Sequence, residues 1–395
     1  MTDALPRRQP PWPLLGVDSW RGGSGRGTLS GVPDLPHQWL LSSGRAALLH
    51  GLKSLGAAAG ARVGVPSYHC PTMVAPIAAL GASPVFYALT PAGQADPDSL
   101  AAHHRQVPLT AVIASHLFAH PGSLATLRGW CDQEGVALVE DCAHALWGQA
   151  GERPVGHWGD VATASLAKFL PLPEGGLMAS ARPLSGPVLH RPSLRTELKT
   201  VKDLFDRRRI GRAAVPAAAA VEPVAVPTDS EIVRSADMGR VDRGLPIASR
   251  WLWSRLPWDR AARRRRGNWQ LLAGAFGEPH DGMQPLWPDR LSLGPGAAPY
   301  VFPLWVDEPE PVYARLRCAG CAVMRWDRVW PGAPPTDESA VDPGILWRRH
   351  VLQLLVHQDL DHDGLHATIR CLRPLTALGR AATAAHPDGT STRDR

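Results

Sequence analysis

Apolar positions in the first half of the chain fall into two patterns. Short, nearly continuous runs over 62–66, 84–87, 111–116 and 137–141 are rich in β-branched residues and read as strands. Between them, 46–52, 71–80 and 123–134 carry apolar residues at steps of three and four and read as helices, the last opened by a Ser cap. Strands that are apolar along their whole length are covered on both faces, so the pattern predicts a mainly parallel α/β sheet with helices on either side. Ligands of such sheets bind at the carboxyl ends of the strands, which draws attention to Asp141 at the end of its run.

The texture changes after Ser180. Residues 194–212 read as a charged helix and 247–276 as a helix broken at Pro257. A strand is expected at 322–326, and helices at 310–318 and 363–372. This α+β mixture predicts a smaller C-terminal domain over 233–380, following a large α/β domain over 31–212. Residues 1–30, rich in Pro, Gly and Arg, read as a flexible N-terminal arm. The Ala/Val/Pro tract within 213–232 reads as a linker or excursion, and 381–395 as a disordered tail.

Charge narrows the partners. The 395 residues carry a formal net charge of +6, concentrated in arginine clusters at 207–209 and 263–266. These clusters have no interleaved aromatics and read as solvated helix faces, so no nucleic-acid partner is expected. The N-terminus has no apolar leader and no apolar run is long enough to span a bilayer, so a cytoplasmic protein without membrane contact is expected. Six scattered cysteines read as reduced thiols. The lone C-x-x-C at Cys318 and Cys321 and the His357, His362, His366 spacing both lack a completing ligand set, and no metal is expected.

The candidate chemistry centres on 165–176. Here Lys168 follows an apolar strand and precedes a proline-bracketed turn ending in Gly175-Gly176, a setting that can hold an amine out of water. Burial lowers a lysine's pKa, and a neutral amine is what a carbonyl cofactor needs. The small-residue turn Ser43-Gly44-Arg45 opens a helix and offers free N–H groups to a phosphate; the plainer reading is a Ser cap. Asp141 suits a protonated ring nitrogen, or a helix cap. Ser165 adds a hydroxyl. A phosphate seat, an acid and an amine in order along one α/β domain are what pyridoxal 5'-phosphate requires.

These residues, with Val65-Pro66-Ser67-Tyr68, Gly81-Ala82-Ser83-Pro84-Val85, Glu140-Asp141-Cys142-Ala143-His144-Ala145 and Gly156-His157-Trp158-Gly159-Asp160, resemble the DegT-type aminotransferases from about Ser42 to Ser180. The resemblance implies the fold type I architecture of pyridoxal-phosphate enzymes, a seven-stranded, mainly parallel sheet with a small C-terminal domain. It implies Lys168 as the cofactor lysine, Asp141 against the ring nitrogen, His144 near the phenolic oxygen, and Ser165 with the Ser43-Gly44-Arg45 backbone on the phosphate. A homodimer with interfacial active sites is implied as well.

The departures concern substrate and interface. The interval from Ser165 to Lys168 is two residues shorter than usual. The ring-stacking position falls on Cys70, with Tyr68 or His69 as substitutes. His116 matches a residue before a turn that here reads Ala119-His120-Pro121, and the family's cross-subunit Asn-Tyr-Arg-Met segment has no counterpart near 238–249. Arg325 is a candidate for a substrate carboxylate. The expected activity is transfer of an amino group from an amino acid, glutamate for preference, to a nucleotide-linked keto sugar. Two other readings stand beside it: a pyridoxal-phosphate fold acting as regulator or assembly partner, and a pyridoxal-phosphate enzyme with a non-sugar substrate.

Overall fold

A computed structural model describes residues 8–21, 29–210, 227–280 and 282–383. Segments 1–7 and 22–28 of the expected arm, most of the expected linker (213–226) and residues 384–395 of the expected tail lie outside the described residues.

The large sheet is built from β1 (His37–Leu41), β2 (Arg62–Pro66), β3 (Ser83–Tyr87), β4 (Ala111–Ser115) and β5 (Ala137–Asp141). A short hairpin, β6 (Gln149–Ala150) and β7 (Arg153–Pro154), leads on to β8 (Val161–Ser165) and β9 (Gly176–Ser180). The seven strands lie in the order β1-β9-β8-β5-β4-β2-β3. The five from β8 to β3 are parallel, and β9 runs against both of its neighbours. This is the mainly parallel sheet expected from the run pattern. Val63, Val65, Val112, Ile113, Leu138 and Val139 are fully buried, each side chain contributing about 1.5–3 kcal/mol from burial.

Helices α1 (Gly44–Ser54), α2 (Pro71–Ala79), α3 (Pro97–Gln106) and α4 (Ala125–Glu134) connect these strands. Local chemistry sets their ends. Ser43 Oγ accepts the Ala46 N–H at 3.2 Å, Asp96 accepts the Ser99 N–H at 2.8 Å, and α2 opens on Pro71, where a missing N–H costs nothing. Helix α4 begins two residues after the expected Ser123, which instead accepts the Ala125 N–H at 3.2 Å, and it stops at Gly135, left-handed at φ 67°.

The second half contributes α5 (Leu194–Ile210), α6 (Asp229–Ser235), α7 (Ile247–Arg255) and α8 (Trp258–Phe276). A second sheet follows, formed by β10 (Met283–Pro285), β11 (Val301–Val306), β12 (Val323–Met324) and β13 (Val351–Leu355), with α9 (Pro309–Cys318), α10 (Pro343–His350) and α11 (His362–Thr383). Its strands are antiparallel in the order β10-β11-β13-β12. The break between α7 and α8 falls at Pro257, whose ring holds Leu256 in an extended conformation. The strand expected over 322–326 is only two residues long, because Arg325 leaves the sheet to pair with Asp327 at 2.9 Å and Glu310 at 3.4 Å.

One expectation needs correcting. The 263–266 arginine run is not a uniformly solvated face: Arg265 is completely buried, on the side of α8 that meets the second sheet. Residues 9–14 are tied to the second half as well. Gln9 donates its N–H to Gly320 O and accepts the Ala322 N–H, both at 2.9 Å, and His357 Nε2–H donates to Pro10 O at 2.8 Å.

Candidate active site

A cavity of about 270 Å³ opens at the carboxyl ends of β4, β5 and β8, where the parallel-sheet rule places a ligand. Lys168 reaches it from a single 3-10 turn, Leu166–Lys168, that directly continues β8. Both glycines after the lysine have physical reasons. Gly175 adopts φ 155°, and a Cβ on Gly176 would meet Ser43 O at 2.0 Å. Their close approach joins the lysine loop to the start of α1, through a parallel bridge between Ser43 and Gly175.

Lys168 is enclosed by protein, with its remaining exposure opening into the cavity. Burial lowers its pKa from the ordinary lysine value, and nearby Cys70 and Asp141 only partly offset this. The Tyr300 ring lies 5.0 Å from Nζ and the Trp326 ring 6.0 Å. Asp141 ends β5. Burial raises its carboxyl above the usual range, against Lys168, the Ala143 N–H at 3.0 Å and the Ser115 hydroxyl at 3.3 Å.

His144 supplies a test of what the cavity would hold. Burial, then the Lys168 charge, keeps its ring neutral. Nδ1 accepts the Phe118 N–H at 3.4 Å, so the ring proton resides on Nε2, and that buried N–H has no partner among the described residues. It is available to an anionic oxygen of a ligand. Ser165 and the start of α1 meet at the other side, packed so closely that a Cβ on Gly44 would lie 3.1 Å from Ser165 Cβ, and Ser43, Gly44 and Arg45 line the cavity there, where a helix start can receive an anion. An amine, a carboxylate, an orphan N–H donor and a helix start around one cavity fit pyridoxal phosphate.

The cavity brings together Ser43, Gly44, Arg45, Cys70, His116, Asp141, His144, Ser165 and Lys168. It leaves out three other candidates. Tyr68 is fully buried behind the wall, stacked on Trp326 with ring centroids 5.1 Å apart, its hydroxyl accepting from Gln353 Nε2 at 3.0 Å. His69 turns onto Phe86 at 4.8 Å and accepts the Trp330 N–H at 3.2 Å, so it cannot also face the cavity. Arg325 is held by its two carboxylates, and its neighbour Trp326 lines the cavity instead. His116 lines the cavity but commits Nε2–H to Glu140 at 2.7 Å.

Glu140 was missed as a supporting residue. Burial alone would raise its carboxyl, yet the His116 ring and the N–H groups of Gly156 (2.6 Å) and Trp158 (2.8 Å) hold it below the usual range. It also accepts from Gly159 at 3.0 Å. One carboxylate thus explains the Gly156-His157-Trp158-Gly159 stretch: a loop wrapped around a buried anion. Tyr300, whose ring lies beside the Lys168 amine, was also missed, because it lies far along the chain in a short element without a strong pattern.

The fold and the site together define a fold type I protein with its lysine at the sheet's carboxyl edge. Residues 35–184 match the model of the DegT/DnrJ/EryC1/StrS aminotransferase family. The chain is 32% identical over 148 residues to GDP-perosamine synthase of Vibrio cholerae, a match covering 36% of this chain and 40% of that protein. It is 33% identical over 147 residues to L-glutamine:2-deoxy-scyllo-inosose aminotransferase of Streptomyces kanamyceticus, covering 36% and 34%. The match therefore spans about a third to two fifths of these relatives. The fold likeness is broader: the structure of DesI in the presence of its TDP-sugar product superposes with a TM-score of 0.63 at 20% identity, covering 95% of this chain and 89% of that one.

Proposed function

We propose that the protein is a pyridoxal-phosphate-dependent aminotransferase that moves an amino group from an amino acid to a nucleotide-linked keto sugar. The observation that carries the reading is the Lys168 amine, its pKa lowered by burial, set beside Asp141 in a cavity that also offers the orphan His144 N–H. Two relatives support the acceptor class, being named for GDP-perosamine and for a dTDP-dehydro sugar. Glutamate is the proposed donor.

Lys168, Asp141, His144, Ser165 and the backbone of Ser43-Gly44-Arg45 would hold the cofactor. When bound, pyridoxal phosphate supplies an aldehyde for amines and a ring that accepts electrons from the substrate's α-carbon. The protein's part is proton handling. Low polarity keeps Lys168 Nζ ready to take a proton from a substrate carbon and return it, and Asp141 holds a positive charge opposite its carboxylate. Tyr300 and Trp326 wall the amine from bulk water. Cys70 occupies the cavity position where the resemblance leads one to expect an aromatic ring.

The proposal includes a homodimer. Leu194, Leu198, Val201 and Phe205 form one exposed apolar stripe on α5, more than an isolated surface needs.

Incubating the purified protein with pyridoxal phosphate and glutamate tests the transfer. Pyridoxamine phosphate and 2-oxoglutarate should form together, and a panel of nucleotide keto sugars should consume the former. Cofactor uptake without conversion by any amino acid would overturn the aminotransferase reading.

A further inference from the structure

Arg265 is a fully buried guanidinium that reaches back to the lysine loop from α8. Its Nη2 donates to Lys168 O at 2.6 Å and to Phe169 O at 3.3 Å, and its Nη1 donates to Pro299 O at 3.0 Å. Its Nε donates to Gln358 Oε1 at 2.9 Å, and Gln358 in turn donates Nε2–H to Phe169 O at 2.8 Å. The guanidinium also stacks 5.0 Å from the Phe169 ring. Pro299 precedes Tyr300, whose ring covers Lys168 Nζ, so one side chain grips both the lysine's own peptide and the wall that shields its amine.

Burying a guanidinium is costly, and here burial pushes its pKa down to about 10. A core that needed only volume at this position would be served by an apolar side chain. The fork does something an apolar residue cannot: it fixes carbonyls at three points of the chain at once.

We propose that Arg265, seconded by Gln358, is a positioning residue that latches the second sheet to the Lys168 loop and sets where the lysine amine sits. The role assigned to Lys168 rests on the proposed function; the latch does not need a bound cofactor to be measured.

Competitive acetylation of the cofactor-free protein across pH, read by peptide mass spectrometry, gives the titration midpoint of Lys168 directly. Arg348 provides a matched control: it is equally buried, its pKa is likewise held at about 10 by burial, and it donates to the carbonyls of Ser67 and Pro334 instead. In Arg265→Met the Lys168 midpoint should rise by about one pH unit as water reaches the loop. Arg348→Met should leave it in place, even if it melts equally early. Arg265→Lys, which keeps a charge but loses the fork, should move the midpoint part of the way and serves if the methionine variant does not fold. An unchanged midpoint in folded Arg265 variants, or an equal shift in Arg348→Met, would overturn the latch. Failure of the wild-type protein to take up pyridoxal phosphate would instead count against the proposed function and leave the latch result standing.

Discussion

At the scale of single residues, the proposed site rests on two shifted groups that act on each other. Burial favours the neutral amine at Lys168, and Asp141 is the main carboxylate opposing that shift. Removing the opposing charge in Asp141→Asn should drive the Lys168 midpoint lower and cut the glutamate half-reaction by about 100-fold, measured by stopped-flow absorbance. The sign of the pH dependence follows from the same pair. Below its lowered pKa Lys168 is protonated and cannot capture an aldehyde, so capture should rise with pH through a midpoint below that of ordinary lysine. The unfolded chain holds that proton to higher pH than the folded one, so this residue's contribution to stability also increases as pH rises through the folded value toward the ordinary one. Lys168 and Asp141 were readable in the sequence because each sits at a fixed place relative to a strand end. Tyr68, His69 and Arg325 were not placed, because whether a side chain beside a strand end faces the cavity or the core depends on neighbours, such as Gln353 and Phe86, supplied by other segments.

At the scale of elements, strand ends and the loops after them decide the geometry. The nearly continuous apolar strands β2, β4 and β5 were legible as runs, and so was the break at Pro257. β13 was not: Val351–Leu355 follows α10 without a turn signal, and its five buried residues are made into a strand by pairing with β11. Glu140 is the element-level keystone, since it binds the loop after β7 and orients His116. Glu140→Gln replaces an acceptor-only carboxylate with an amide whose NH₂ must face backbone N–H donors. The urea midpoint should fall by an amount corresponding to about 3 kcal/mol, with the far-UV spectrum preserved. An unchanged midpoint would mean that the loop finds its own support.

At the scale of the whole molecule, the two sheets meet at the lysine. The first sheet presents Asp141 and Lys168 at its carboxyl edge, and the second half of the chain returns Tyr300, Trp326 and Arg265 to the same place. The family match ends at residue 184, while the fold likeness extends over most of the chain. The second half thus shares its fold with the DesI structure outside the stretch that the family model matches, which is why its residues near the lysine carried little signal. The exposed stripe on α5 belongs to this scale as well. Sedimentation should show about twice the 42.5 kDa chain mass, and Leu198→Glu with Phe205→Glu should shift it toward the single chain. A wild-type protein that sediments as one chain at micromolar concentration would remove the dimer from the account.

The central claim is that Lys168 is the amine that holds pyridoxal phosphate, and peptide mapping after borohydride reduction of the loaded protein tests it most directly. The account predicts a visible absorbance band that reduction abolishes, and a phosphopyridoxyl group on the peptide containing Lys168. A protein that binds no cofactor, or one that carries the group on Lys53, Lys199 or Lys202 instead, would contradict it.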